Sequence, residues 1–133
     1  MGTPGGYPGE AEPRPYTHVM GEIARTPDPP YVAVIFTSLR TPGDDGYGAT
    51  AARMEELAAQ QPGYLGIESA REGVGITVSY WGTEDDARAW KRVAEHAAVQ
   101  RAGRERWYDE YTVRIAHVTR DYRFERPDGI TSR

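Results

Sequence analysis

Gly75-Ile-Thr-Val-Ser-Tyr-Trp-Gly-Thr-Glu-Asp-Asp-Ala-Arg-Ala-Trp90 decides the fold, because a strand, a helix cap and the first turns of a helix follow one another in it. Ile76 to Trp81 is β-branched or aromatic with one serine, the composition of a strand buried on at least one face. Gly82 breaks that pattern. Thr83, followed three residues later by Asp86, reads as a capping-box-like helix start, with Glu84, Asp85 and Asp86 placing negative charge on the first-turn amides. Ala87, Trp90, Ala94 and Ala97 then recur at spacings of three and four. The resulting face is narrow, apolar and small apart from one indole, suited to close packing on a flat surface.

Upstream, Tyr31 to Leu39 is a nearly continuous apolar run of strand length and predicts a buried central strand. Thr41-Pro-Gly-Asp-Asp-Gly46 is turn chemistry, after which Tyr47, Ala51, Met54, Leu57 and Ala58 form a helical stripe that Gln60-Gln-Pro-Gly63 stops. Tyr64 to Arg71 predicts a second strand, joined by a short hairpin to the Ile76 to Trp81 strand. Downstream, the helix begun at Thr83 extends towards Gly103 as one helix or two. Tyr111 to Thr119 alternates as a half-buried last strand, with Val113, Ile115 and His117 on one face.

The element order is therefore βαββαβ, an α+β ferredoxin-like pattern in which four antiparallel strands carry helices on one face only. The other face needs a cover. The lack of polar alternation in the first strand predicts that this face is apolar and is buried against a second copy, giving a homodimer and a dimeric α/β barrel. Within the third strand only one of Tyr80 and Trp81 can point into the helix-side layer. Tyr80 shares the more apolar face with Ile76 and Val78 and is expected there, leaving Trp81 for the opposite face and the dimer contact.

At 133 residues with 38% hydrophobic content the chain builds one modest core. The division expected is a Pro/Gly-rich arm over 1–30, a folded domain over 31–124 and a polar tail over 125–133. The arm holds Pro4, Pro8, Pro13, Pro15, Pro27, Pro29 and Pro30. A formal net charge of -4 argues against nucleic acid as a partner. No apolar run is long enough to span a membrane and the first residues lack the apolar centre of a signal peptide, so a soluble cytoplasmic protein is expected. Without cysteine there is no thiolate nucleophile, disulfide or iron–sulfur cluster. His18, His96 and His117 lack metal-binding spacing, so no metal site is expected.

Gln61-Pro-Gly-Tyr-Leu-Gly-Ile-Glu68, the Val78-Ser-Tyr-Trp81 strand end, Ala89-Trp90, and Glu95-His96 with Gln100 one turn later resemble the antibiotic biosynthesis monooxygenase superfamily of dimeric α/β-barrel proteins. The resemblance runs from about Tyr31 to Phe124. One branch of that superfamily oxidises polyketide phenols to quinones without a cofactor, the substrate itself supplying electrons to dioxygen. Another degrades heme, using a helix histidine as iron ligand and a tryptophan against the porphyrin. Trp90 matches the pocket tryptophan of both branches. Counting on from Trp90, the heme-ligand position falls at Gln100 rather than at His96, and Val32 to Leu39 lacks the asparagine of the heme branch.

The resemblance thus implies a cofactor-independent monooxygenase acting on a small aromatic ligand, with heme binding and a non-enzymatic dimeric module as alternatives. Trp90 and His96 are the candidate catalytic residues; Tyr80, Phe36, Gln100 and Arg71 are the candidate substrate contacts. The imidazole of His96 suits proton transfer at neutral pH. On a straight helix, however, six residues rotate it about 240° from Trp90. Arg71, at a strand end, offers a planar fork for an acidic or phenolate group.

Overall fold

The computed structural model describes residues 22–43, 46–100 and 107–127, with the backbone alone over 97–100. Most of the expected arm, the helix end near Gly103, and 128–133 of the expected tail lie outside the described residues. Among the described residues six elements follow one another: β1 (Tyr31–Arg40), α1 (Tyr47–Ala59), β2 (Tyr64–Glu72), β3 (Val74–Trp81), α2 (Glu84–Gln100) and β4 (Tyr108–Val118). The strands form one sheet in the order β2-β3-β1-β4 with every pairing antiparallel, the ferredoxin-like α+β arrangement. The apolar run of β1 takes a central position, paired with β3 on one side and β4 on the other.

The helix boundaries follow local chemistry. Asp86 N–H donates to Thr83 Oγ1 at 3.0 Å, so the expected cap starts α2, which then runs unbroken to Gln100. At the far end of α1, Gln60 and Gln61 N–H donate to the carbonyls of Leu57 and Ala58, and Gly63 turns the chain at φ 84°. That position requires glycine twice over. The φ disfavours a side chain, and a Cβ there would lie 2.1 Å from Asp86 Oδ2. Gly82 N–H donates to Gly63 O at 2.8 Å, which ties the exit of α1 to the entry of α2.

The core lies between helices and sheet, around Val32, Val34, Ala58, Trp81 and Ala87, with Tyr64, Trp90 and Val113 packed against it. Trp81 is fully buried. Its ring lies near-parallel to that of Trp90, with centroids 5.7 Å apart and planes at 21°, and its Nε1–H donates to Ser79 Oγ at 2.9 Å. This reverses the expected orientation of β3. Trp81 is under the helices, and Tyr80 is on the outer face, where its ring meets Tyr31 edge-on and its hydroxyl donates to Glu68 Oε1 at 2.7 Å.

The chain's own flanking segments cover one end of that outer face. Ala24 N–H donates to Glu68 Oε2 at 2.9 Å, Thr26 Oγ1 donates to the Tyr31 hydroxyl, and that hydroxyl donates to Asp121. Arg25 faces Glu125 across the two segments at 3.6 Å. Tyr31 and Ala33 are buried as a result. At the other end of the outer face Leu39, Val74 and Ile76 remain exposed.

Candidate functional site

A cavity of about 460 Å³ opens between the helices and the sheet. Its floor comes from Val34 and Phe36 of β1, Ile67, Ser69 and Arg71 of β2, Thr77 and Ser79 of β3, and Tyr111 and Val113 of β4. Its roof comes from Tyr47, Ala51, Met54 and Glu55 of α1 and from Trp90 and Ala94 of α2, with Trp107 and Tyr108 closing one end. The sheet leaves room for a cavity because the helix-facing positions of β3 before Trp81 are Gly75, Thr77 and Ser79, all small.

The walls are mostly aromatic and brace one another. Phe36 lies 5.3 Å from both Tyr108 and Tyr111, Tyr47 lies 6.0 Å from Trp107 and 5.8 Å from Tyr108, and Trp90 rests on Trp81. Pairs at these centroid separations favour edge-on or offset contacts that hold rings in place. The Arg40 guanidinium lies 3.6 Å from the Tyr47 ring centroid and donates to Trp107 O and Gly43 O, so it braces the closed end. Burial and a hydrogen bond with Tyr47 push the Tyr108 phenol up, keeping it protonated at neutral pH.

Besides Lys91 and Glu95 of α2, which pair with each other at 2.8 Å, two charged side chains line this apolar space. Arg71 crosses the sheet above Gly75, donating from Nη2 to Ser38 Oγ at 2.6 Å and from Nη1 to Gly73 O. A Cβ on Gly75 would lie 2.2 Å from that guanidinium, so glycine there makes the passage for Arg71. Glu55 is the second. Its Oε1 is closed off from solvent with no hydrogen-bond partner among the described residues. Burial pushes the carboxyl up to about 7 from an ordinary 4.5, because desolvation penalises the charged form.

The six candidate residues therefore separate. Trp90, Phe36 and Arg71 line one cavity. Tyr80 does not: its place on the outer face removes it from this space, and its hydroxyl is bound to Glu68. His96 is exposed and absent from the cavity lining, as its angular offset from Trp90 on a straight helix requires. The Gln100 side chain lies outside the described residues. His117 faces the helix side, where it meets Glu84 Oε1 at 2.9 Å on the exposed start of α2; that hydrogen bond, then Arg88, holds the Glu84 carboxyl low. Glu55 escapes a reading that counts only apolar positions. The signal is nonetheless in the sequence, since Glu55 falls between Ala51 and Ala58 at helical spacings of four and three, inside the stripe that faces the core.

No family model matches the chain. It is 50% identical over 109 residues to the uncharacterised protein YqjZ of Bacillus subtilis, an alignment covering 80% of this chain and 96% of that protein. The chain belongs to the YqjZ family. Its fold is that of the antibiotic biosynthesis monooxygenases. A Nitrosomonas europaea protein assigned to them superposes with a TM-score of 0.55 at 18% identity, over 71% of this chain and 94% of its own. A Bordetella bronchiseptica protein with the same assignment gives a TM-score of 0.53 at 18% identity, over 66% and 96%. SnoaB, a cofactor-independent oxygenase of Streptomyces nogalater, gives 0.50 at 19% identity, over 74% and 99%. Among the described residues no helix is long and apolar enough to cross a membrane.

Proposed function

We propose that this chain is a cofactor-independent monooxygenase that oxidises a small phenolic ring with dioxygen inside the helix-side cavity. The observation that carries this reading is the cavity itself: an apolar space of about 460 Å³ walled by Phe36, Tyr47, Trp90, Trp107, Tyr108 and Tyr111. A flat aromatic ligand fits such walls by stacking and by displacing water from apolar surface. The likeness in fold to a cofactor-independent oxygenase points to the same class of reaction.

The chemistry balances without a bound redox group. A phenol with a free para carbon reacts with one O2 to give a para-quinone and one water. The ring supplies four electrons, one oxygen atom ends in the new carbonyl and the other in water. The chain's part is to desolvate and orient the ring against Trp90, and to hold positive charge from Arg71 where a phenolate oxygen develops.

That no histidine among the described residues lines this space favours the cofactor-free reading over a histidine-ligated heme. Dimerisation belongs to the same proposal. Leu39, Val74 and Ile76 form the exposed apolar end of the outer face, and a second copy seated there would bury them. Oxygen uptake measured with polycyclic phenols such as 1-naphthol, alongside quinone absorbance, tests the activity. Equimolar oxygen loss and quinone gain, abolished in Trp90→Ala, is the expected result; no uptake with any phenol that binds would overturn the proposal.

A further inference from the structure

We infer that Glu55 is the proton acceptor for a phenolic O–H bound in the cavity, so that the site selects aromatic ligands carrying such a donor; this rests on the aromatic-site reading above. Three observations converge on it. Glu55 lines the same space as Trp90, Phe36 and Arg71. Its Oε1 lacks a partner among the described residues, although a buried carboxyl without one is costly and is ordinarily satisfied. It also occupies a core-facing position of α1, where alanine or methionine stands at the neighbouring core-facing positions Ala51, Met54 and Ala58. A turn of the carboxyl that brings Oε1 to the cavity would let a bound hydroxyl supply what it lacks.

In the step itself, a Glu55 carboxylate oxygen takes the proton, the O–H electron pair stays on the ligand oxygen, and a neutral carboxylic acid and a phenolate result. The raised carboxyl makes the transfer less uphill. A phenol near 10 and a carboxyl near 7 differ by about three units, where an ordinary carboxyl at 4.5 would leave a gap of more than five. The phenolate is the electron-rich form that gives electrons to O2. After oxygen addition the same carboxylic acid can return its proton to the departing hydroxide, giving water and restoring the carboxylate.

Calorimetric titration with 1-naphthol in two buffers of different ionisation enthalpy tests this without using turnover, since it counts protons released on binding. A ligand that binds ionised Glu55 releases up to about half a proton at pH 7 and binds up to about tenfold more tightly at pH 8 than at pH 6. Glu55→Gln, close in shape, should show neither effect. 1-Methoxynaphthalene, which keeps the ring and lacks the O–H, should bind the native protein without releasing a proton. Equal release in Glu55→Gln, or equal release with the methyl ether, would overturn the inference and leave the aromatic site standing. No binding of either naphthalene would overturn the aromatic site and the inference with it. Proton release without oxygen uptake would support Glu55 as acceptor while removing the oxygenase reading.

Discussion

Glu55 and Glu68 are both partly buried, one on each side of the same sheet, yet their surroundings differ. Glu68, on the outer face, accepts the Tyr80 hydroxyl on one oxygen and the Ala24 amide on the other. Glu55, on the helix side, has an oxygen with nothing to bind among the described residues and a carboxyl pushed up to about 7. The first carboxylate ties a flanking segment to the sheet. The second keeps an oxygen that no other described residue satisfies. Burial alone does not mark a functional carboxylate; burial with missing partners, in a space large enough for a ligand, does.

The largest effect that sharpens this contrast is on the helix side. Trp81→Ala removes a fully buried ring that supports Trp90, and should cost about 3–5 kcal/mol in denaturant unfolding. Naphthol binding should fall with it, because Trp90 loses the surface it rests on.

Next in size is the pH dependence that Glu55 imposes. Its folded pKa is raised above the unfolded value, so its ionisation opposes folding. Stability is undiminished below about 4.5 and is lost as pH rises through about 7. The shift corresponds to about 3 kcal/mol. Relative to the native protein, Glu55→Gln should therefore gain about that much stability between pH 4.5 and 8. Parallel stability curves for the two proteins would break the contrast between the carboxylates.

Tyr80→Phe tests the other face. Removing the hydroxyl that Glu68 accepts should cost about 1–2 kcal/mol, with 1-naphthol affinity unchanged because the ring lies across the sheet from the cavity. A loss of affinity without loss of stability would put Tyr80 back among the ligand contacts. Thr83→Ala should have the smallest effect, about 1 kcal/mol, by removing the cap of α2.

Element order, strand pairing and the α2 cap were legible in the sequence because each rests on local chemistry: the apolar run of β1, the Gln60 to Gly63 stop, and Thr83 with its acidic first turn. Which face of β3 the helices cover was not. Alternation shows that Tyr80 groups with Ile76 and Val78 and that Trp81 groups with Ser79, but it does not say which group lies inward. Apolarity pointed the wrong way here. The inward positions Gly75, Thr77 and Ser79 are small and partly polar because a cavity and the Arg71 guanidinium occupy the space above them. Val74 and Ile76 face outward, at the exposed end of the sheet. The cavity set Trp90, Phe36 and Arg71 was legible as separate residues, whereas their meeting with Glu55 depends on how α1 lies across the sheet. Reading α1 as an apolar stripe alone passes over the one charged side chain inside that stripe.

The contrast between the two carboxylates is tested most directly by a carbon-13 NMR titration of the glutamate side chains, with Glu55 assigned from the Glu55→Gln spectrum. The expected result is a midpoint near 7 for Glu55 that falls when 1-naphthol is added. A midpoint in the ordinary carboxylate range, unmoved by the ligand, would contradict it.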